Sequence, residues 1–74
     1  MKQEIELKTI LDLKIHEHSK VKYVDGEISY FLMCIGVVPK TAIRRVSFGN
    51  PSAYAFRGAT YAFREEEAKN IKIY

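Results

Sequence analysis

Residues 28–48, ISYFLMCIGVVPKTAIRRVSF, contain the change of pattern that decides the fold. The first half has the i, i+3, i+4, i+7 spacing of one apolar helix face, carried by Ile28, Phe31, Leu32 and Ile35. Gly36 then favours the left-handed conformation that ends a helix, and Pro39 prevents the helix from resuming. The stretch therefore predicts a short apolar helix with a defined end.

The second half of this stretch changes to the two-residue period of a β-strand after Lys40. Residues of the inward face are expected at Thr41, Ile43, Val46 and Phe48. The pair Arg44-Arg45 interrupts the alternation once, which predicts a β-bulge at the arginines. A short helix that leads into a bulged strand is thus the expected centre of the chain.

The length and composition fit one small domain spanning residues 1–74, with 47% hydrophobic and 28% charged residues. The net charge of +3 permits contact with nucleic acid or an acidic surface and requires neither. Because Cys34 is the one cysteine, no intramolecular disulfide can form, and a reducing cytoplasm is expected. The longest apolar run, residues 30–38, falls short of the roughly 20 residues that span a bilayer, so no direct membrane insertion is expected.

The N-terminal part of the chain predicts two short strands. Residues 2–8 alternate polar and apolar side chains, as in an edge strand, and Thr9 is placed to cap a single turn. Residues 17–24 predict a half-buried strand whose inward face carries Ser19, Val21 and Tyr23, followed by a turn at Asp25-Gly26.

The C-terminal part predicts two strands within residues 52–63, joined by a short loop at residues 57–59. The aromatic side chains that share the inward face are Tyr54, Phe56, Tyr61 and Phe63. Glu65 begins a one-turn helix, and residues 71–73 form a closing strand. Five or six short strands with one short apolar helix and a one-turn helix predict a mostly β fold, closed as a small barrel.

The order of these parts resembles the ferrous-iron transport protein A (FeoA) family. Three motifs carry the resemblance, which covers about residues 9–73: LMCIGVVPKT (32–41), NPSAYAFRG (50–58) and YAFREEEAKNIKI (61–73). The resemblance implies an SH3-like barrel that is cytoplasmic and reaches the inner membrane only through its partner. That partner would be a membrane ferrous-iron permease with a GTPase domain (FeoB-like), on which the domain docks as a non-enzymatic accessory to modulate Fe(II) uptake.

Two turns depart from the family pattern. Members of the family commonly have Pro-Gly where this chain has Ile15-His16, and glycine where it has Lys40. Because a side chain disfavours the left-handed backbone that glycine adopts freely, we expect both turns to be shaped differently here.

A second apolar stripe on the helix makes a candidate partner-binding surface. It comprises Tyr30, Met33, Cys34 and Val37. A helix that is apolar all round is covered either by its own chain or by a partner. Coverage by the strand predicted at residues 2–8 is the alternative, and outward alanines on the C-terminal strands leave a homo-oligomer open.

His16 and His18 are the candidate metal ligands, since residues two apart on a strand project to the same side. Imidazole suits Fe(II) and other divalent transition metals. Lys20 and Lys22 share that face, however, and their charge would repel a cation. Solvated surface histidines are therefore favoured, and neither a metal site nor a required cofactor is predicted.

Two other functions are compatible with parts of the sequence. FeoA-like barrels also resemble the C-terminal domain of iron-dependent repressors, so a metal-responsive regulatory domain is an alternative, although no helix-turn-helix segment is present. The arginines at 44, 45, 57 and 64 suggest a nucleic-acid-binding barrel, but the neighbouring aromatics fall on the opposite face, where bases cannot stack on them. No catalytic role is expected for Cys34, taken as a packing residue, or for the run 65–67, taken as helix-start charge.

Overall fold

The computed structural model describes residues 8–74, which form a six-stranded antiparallel sheet with two short helices and one 3₁₀ turn. The strands are β1 (Lys8–Thr9), β2 (His18–Val24), β3 (Ala42–Ser47), β4 (Ser52–Phe56), β5 (Ala59–Phe63) and β6 (Ile71–Ile73). The helices are α1 (Ser29–Cys34) and α2 (Glu65–Ala68), and the 3₁₀ turn covers Ile10–Asp12. Neither helix in the described range is long and apolar enough to cross a membrane.

The predicted mostly β class is confirmed, but the predicted closure into a barrel is wrong for the described residues. The strand order is β1-β6-β2-β3-β4-β5, so β1 and β5 are the two ends of an open sheet. The strand predicted over residues 2–8 lies outside the described residues, except for Lys8 in β1.

The hairpin of β4 and β5 is confirmed, with Tyr54 opposite Tyr61 in register. Its turn consists of Arg57 and Gly58, both at positive φ (53° and 79°), the backbone signs of a type I′ hairpin turn. The inward position of the aromatic side chains is confirmed too: Tyr54, Phe56 and Phe63 are buried, and Tyr61 is half-buried. The Phe56 and Tyr61 rings stack at a centroid separation of 4.7 Å.

The core lies on the inner face of the sheet, under α1, α2 and the 3₁₀ turn. Its buried hydrophobic residues are Ile10, Leu13, Val21, Leu32, Val37, Ile43, Tyr54, Phe56, Phe63, Ala68, Ile71 and Ile73. The predicted cap on the 3₁₀ turn is confirmed, since the Thr9 hydroxyl accepts a hydrogen bond from the Leu11 amide at 3.2 Å. The one-turn helix α2 and the closing strand β6 also form where the sequence predicted them.

The prediction that both arginines of β3 face outward is wrong for Arg45, which is 5% exposed. The bulge lies one position later than predicted, because the register against β4 shifts between Arg45 and Ser47. The inward alternation of Thr41 and Ile43 therefore continues to Arg45 before Val46 interrupts it. Phe48 follows the bulge and is 60% exposed, not inward as predicted.

The buried guanidinium of Arg45 is satisfied by backbone carbonyls. Nη1 donates to the carbonyl oxygens of Leu11 (2.8 Å) and Leu13 (3.1 Å), and Nε donates to that of Ser47 (3.2 Å). The Phe48 ring lies over the guanidinium with its centroid 4.3 Å from Cζ, close enough for a cation–π contact. These contacts join the 3₁₀ turn and the segment after it to β3.

His16 and Lys40 hold the turns in which the family usually has glycine, and they adopt the glycine conformation with φ of 68° and 77°. The expectation that these turns differ in shape from those of the family stays a prediction. The two amides are fixed by short hydrogen bonds to carbonyl oxygens, His16 to Arg45 and Lys40 to Val21, both at 2.7 Å. Tertiary hydrogen bonds of this kind hold a side chain in a backbone region that it otherwise disfavours.

We predict that Arg45→Gln lowers the free energy of unfolding by about 2–4 kcal/mol, since the shorter side chain leaves the Leu11 and Leu13 carbonyls without their donor. The neighbouring Arg44→Gln makes the same substitution on the exposed face and should change stability by less than about 0.5 kcal/mol. Urea unfolding followed by circular dichroism measures both. Equal losses in the two variants would contradict the role given to Arg45.

We predict that Lys40→Gly raises the free energy of unfolding by about 0.5–1 kcal/mol, because it relieves the positive φ. The gain in stability is smaller than the strain energy that is relieved, because glycine also raises the conformational entropy of the unfolded chain. Lys20→Gly, in the extended strand β2, is the matched control and should lower stability by about the same amount. Thermal unfolding of the two variants checks the opposite signs.

Candidate functional site

Helix α1 has six residues and is anchored by one of them, Leu32, which is fully buried. Ile28 and Ile35, at the two ends, are half-buried against the core. The predicted stop at Gly36 is confirmed by a φ of 101°. The Gly36 amide donates to Met33 O (3.0 Å) and the Val37 amide to Leu32 O (2.8 Å), the paired bonds of a Schellman motif.

The helix presents apolar side chains to solvent. Tyr30 is 71% exposed, Phe31 57% and Met33 52%, and Cys34 is exposed as well. We call these four residues the α1 surface. Exposed apolar side chains in one continuous patch are typical of a contact surface for another protein, and Tyr and Met are enriched in such contacts.

Phe31 belongs to this surface although the sequence placed it on the inward stripe. Successive residues of a helix lie about 100° apart around its axis, so Phe31 is turned well away from Leu32. In a helix that packs through one central residue, the neighbouring position falls outside the contact. The i, i+3, i+4, i+7 pattern does not reveal which of its members will be central.

Val37 was predicted in the exposed partner-binding stripe, and that prediction is wrong: the residue is 1% exposed and belongs to the core. The Schellman motif turns the chain back at Gly36 and places Val37 in the core cluster with Leu32. Of the predicted partner-binding set, Tyr30, Met33 and Cys34 are accessible. The exposure of Cys34 also corrects the interpretation of this residue as a packing residue.

A groove of about 270 Å³ runs between α1 and β2 beside the α1 surface. It is lined by Tyr23, Val24, Ser29, Met33, Val37, Val38 and Pro39. Tyr23 is 38% exposed although the sequence placed it on the inward face with Val21. The register of β2 against β6 shifts between these two residues, which changes the direction of the Tyr23 side chain. Sequence alternation alone gave no signal of this bulge.

The candidate metal ligands are exposed and differ in their local structure. His16 lies in the turn before β2, not on the strand, and its Nδ1 is 3.4 Å from Nη1 of Arg44. His18 lies in β2 directly opposite Arg44. Within residues 8–74, no group of three or more His, Cys, Asp or Glu side chains is arranged to hold a metal ion. An arginine between the two histidines further disfavours a cation there.

The acidic run at the start of α2 has the structural role that its position predicts. Glu67 Oε1 accepts a hydrogen bond from the Arg64 amide at 2.8 Å, and Asn50 Oδ1 accepts one from the Glu65 amide at 3.0 Å. Carboxylates in the first turn also lie at the positive end of the helix dipole. These contacts account for the run as a helix cap.

No protein-family model matches the sequence, and no curated protein matches it. The fold is similar to the crystal structure of FeoA from Stenotrophomonas maltophilia in complex with zinc, with a TM-score of 0.85 and 24% sequence identity. The similarity covers 90% of this chain and 89% of that chain. That FeoA is described as a prokaryotic SH3 domain protein with a suggested role as a ferrous iron transport activating factor. The comparison confirms the SH3-like fold of FeoA that the sequence predicted.

We predict that Leu32→Ala lowers the free energy of unfolding by about 3 kcal/mol, because it removes the one fully buried anchor of α1. The adjacent Phe31→Ala should lower it by less than about 1 kcal/mol, since most of that ring is exposed. Chemical denaturation of the two variants tests which side of the helix packs. A larger loss for Phe31→Ala would contradict the assignment of the α1 surface.

Proposed function

We propose that this chain is a cytoplasmic accessory protein of ferrous-iron uptake, without enzymatic activity of its own. In this role it docks on the cytosolic part of a GTPase-linked membrane Fe(II) permease (FeoB-like) and modulates transport. The observation that carries the proposal is the likeness in fold to FeoA over nine-tenths of both chains. The transport activating role suggested for that protein supplies the process.

The α1 surface is the docking site in this proposal. Its aromatic and thioether side chains project from a helix that is held by Leu32 from below, so they can contact a partner without disturbing the core. The groove beside it adds Tyr23 and Pro39 to the accessible apolar area. Burial of such side chains is the main source of affinity at protein interfaces.

Fe(II) is the cargo of the partner in this proposal and not a resident cofactor of the chain. The positions of His16 and His18 beside Arg44 support this division, since the guanidinium charge opposes a cation. The accessory protein then acts on transport through protein contact. No chemical step is assigned to its side chains.

We predict that Tyr30→Asp and Met33→Asp each weaken binding to the cytosolic part of the permease at least roughly tenfold, because a charge must then be buried in an apolar contact. Tyr74→Asp is the matched control, since Tyr74 has a similar exposure of 62% away from α1. Pull-down against the purified cytosolic part measures binding. Fe(II) uptake by cells expressing the permease measures the effect on transport.

The outcomes separate the parts of the proposal. Unchanged binding in both α1 variants would contradict docking through α1, and no binding by the unaltered chain would contradict the permease as partner. Analytical ultracentrifugation adds a third result. If the α1 variants dissociate a homo-oligomer while permease binding persists, the α1 surface is a self-association surface instead.

A further inference from the structure

The outer face of the sheet carries a second groove, on the opposite side of the strands from the core. Its volume is about 520 Å³. The described residues that line it include His18, Ala42, Arg44, Ala55, Arg57 and Thr60. These described lining residues include two arginines and a histidine but neither Asp nor Glu.

Strand register brings the lining residues into one row. His18 of β2 is opposite Arg44 of β3, Arg44 is opposite Ala55 of β4, and Ala55 is opposite Thr60 of β5. Directly opposed residues of neighbouring strands project to the same face. Since Ile43, next to Arg44, points into the core, this row points outward. The row crosses four of the six strands.

Two arginines, Arg44 and Arg57, line the groove. Arg44 is exposed, and its Nη1 lies 3.4 Å from the ring of His16. Arg57 lines the groove from the β4–β5 turn, and it lies against Gly36, where a Cβ atom would be only 2.6 Å from Arg57 Cδ and 3.0 Å from Nε. The contact with Gly36 limits where Arg57 can lie. The small side chain of Ala55 lies beside Arg44 in the outward row.

We propose that this outer groove binds an acidic, extended segment of a protein partner through Arg44 and Arg57. Guanidinium groups pair with carboxylates by two parallel hydrogen bonds, which gives both charge and geometric complementarity. An extended chain fits because the residues beside the arginines, Ala42, Ala55 and Thr60, are small enough for a backbone to lie over them. The proposal is independent of docking through α1 and adds a second contact surface to the domain.

Nucleic acid is less favoured than an acidic peptide as the ligand of this groove. Base binding on such a surface depends on exposed aromatic rings for stacking. The aromatic side chain that lines the groove, Phe56, is 3% exposed and belongs to the core. The groove therefore offers cations without a stacking platform, which suits carboxylates better than bases.

The test uses fluorescence anisotropy with the full chain and a labelled short peptide of alternating glutamate and serine. We expect saturable binding that weakens roughly fivefold or more when glutamine replaces glutamate in the peptide, and by a similar factor in Arg44→Gln/Arg57→Gln. Lys14→Gln/Lys69→Gln removes the same charge from exposed positions outside the groove and should lose less than about twofold. Amide chemical shifts of Ala42, Ala55 and Thr60 should move on titration.

Several results would overturn the proposal. These are absence of peptide binding, equal weakening in the lysine control, shifts confined to α1, or tighter binding of an oligodeoxythymidylate than of the acidic peptide. Tyr30→Ser alters the α1 surface without adding charge, and it should bind the peptide as well as the unaltered chain does. This variant therefore distinguishes a failure of peptide binding in the outer groove from a failure of docking through α1.

Discussion

The hydrogen bonds from Arg45 to the carbonyls of Leu11 and Leu13 connect the N-terminal part of the described chain to the sheet. A buried charge is costly unless its donors are satisfied, and here carbonyls and the Phe48 ring surround the guanidinium. In the described residues every buried side-chain polar atom has a hydrogen-bond partner. Because the 3₁₀ turn packs against α2 and β6, the position of Arg45 influences the packing of the C-terminal end as well.

Helix α1 is also held in place by a small number of contacts. A six-residue helix is too short to be stable by itself, so its packing through Leu32 and its Schellman end at Gly36 hold it in place. A helix fixed by one central residue leaves most of its circumference in solvent. That is why Tyr30, Phe31 and Met33 are all accessible at once, and why the helix can serve as a contact surface without loss of the core.

Arg57 and Gly36 bring the two proposed surfaces near each other. Cδ and Nε of Arg57 lie against Gly36 at the end of α1, and Arg57 is also one of the residues that line the outer groove. An apolar helix and a cationic groove therefore meet at one edge of the molecule. A partner with an apolar patch beside an acidic segment could contact both, and the complementarity of charge would then add specificity to the apolar contact.

Periodicity, glycine, proline and the capping Thr9 act over a few residues, so most helices, strands and turns could be predicted from the sequence. The sequence by itself also determined that the aromatic side chains of β4 and β5 point inward, since the hairpin turn sets their register. Tertiary structure decided the rest. A bulge one residue later than expected turned Arg45 inward, and an unexpected bulge in β2 turned Tyr23 outward. Hydrogen bonds to distant carbonyls held His16 and Lys40 at positive φ. The physical reason is that a bulge or a left-handed turn is selected by the strand or carbonyl across from it, and that partner is remote in sequence.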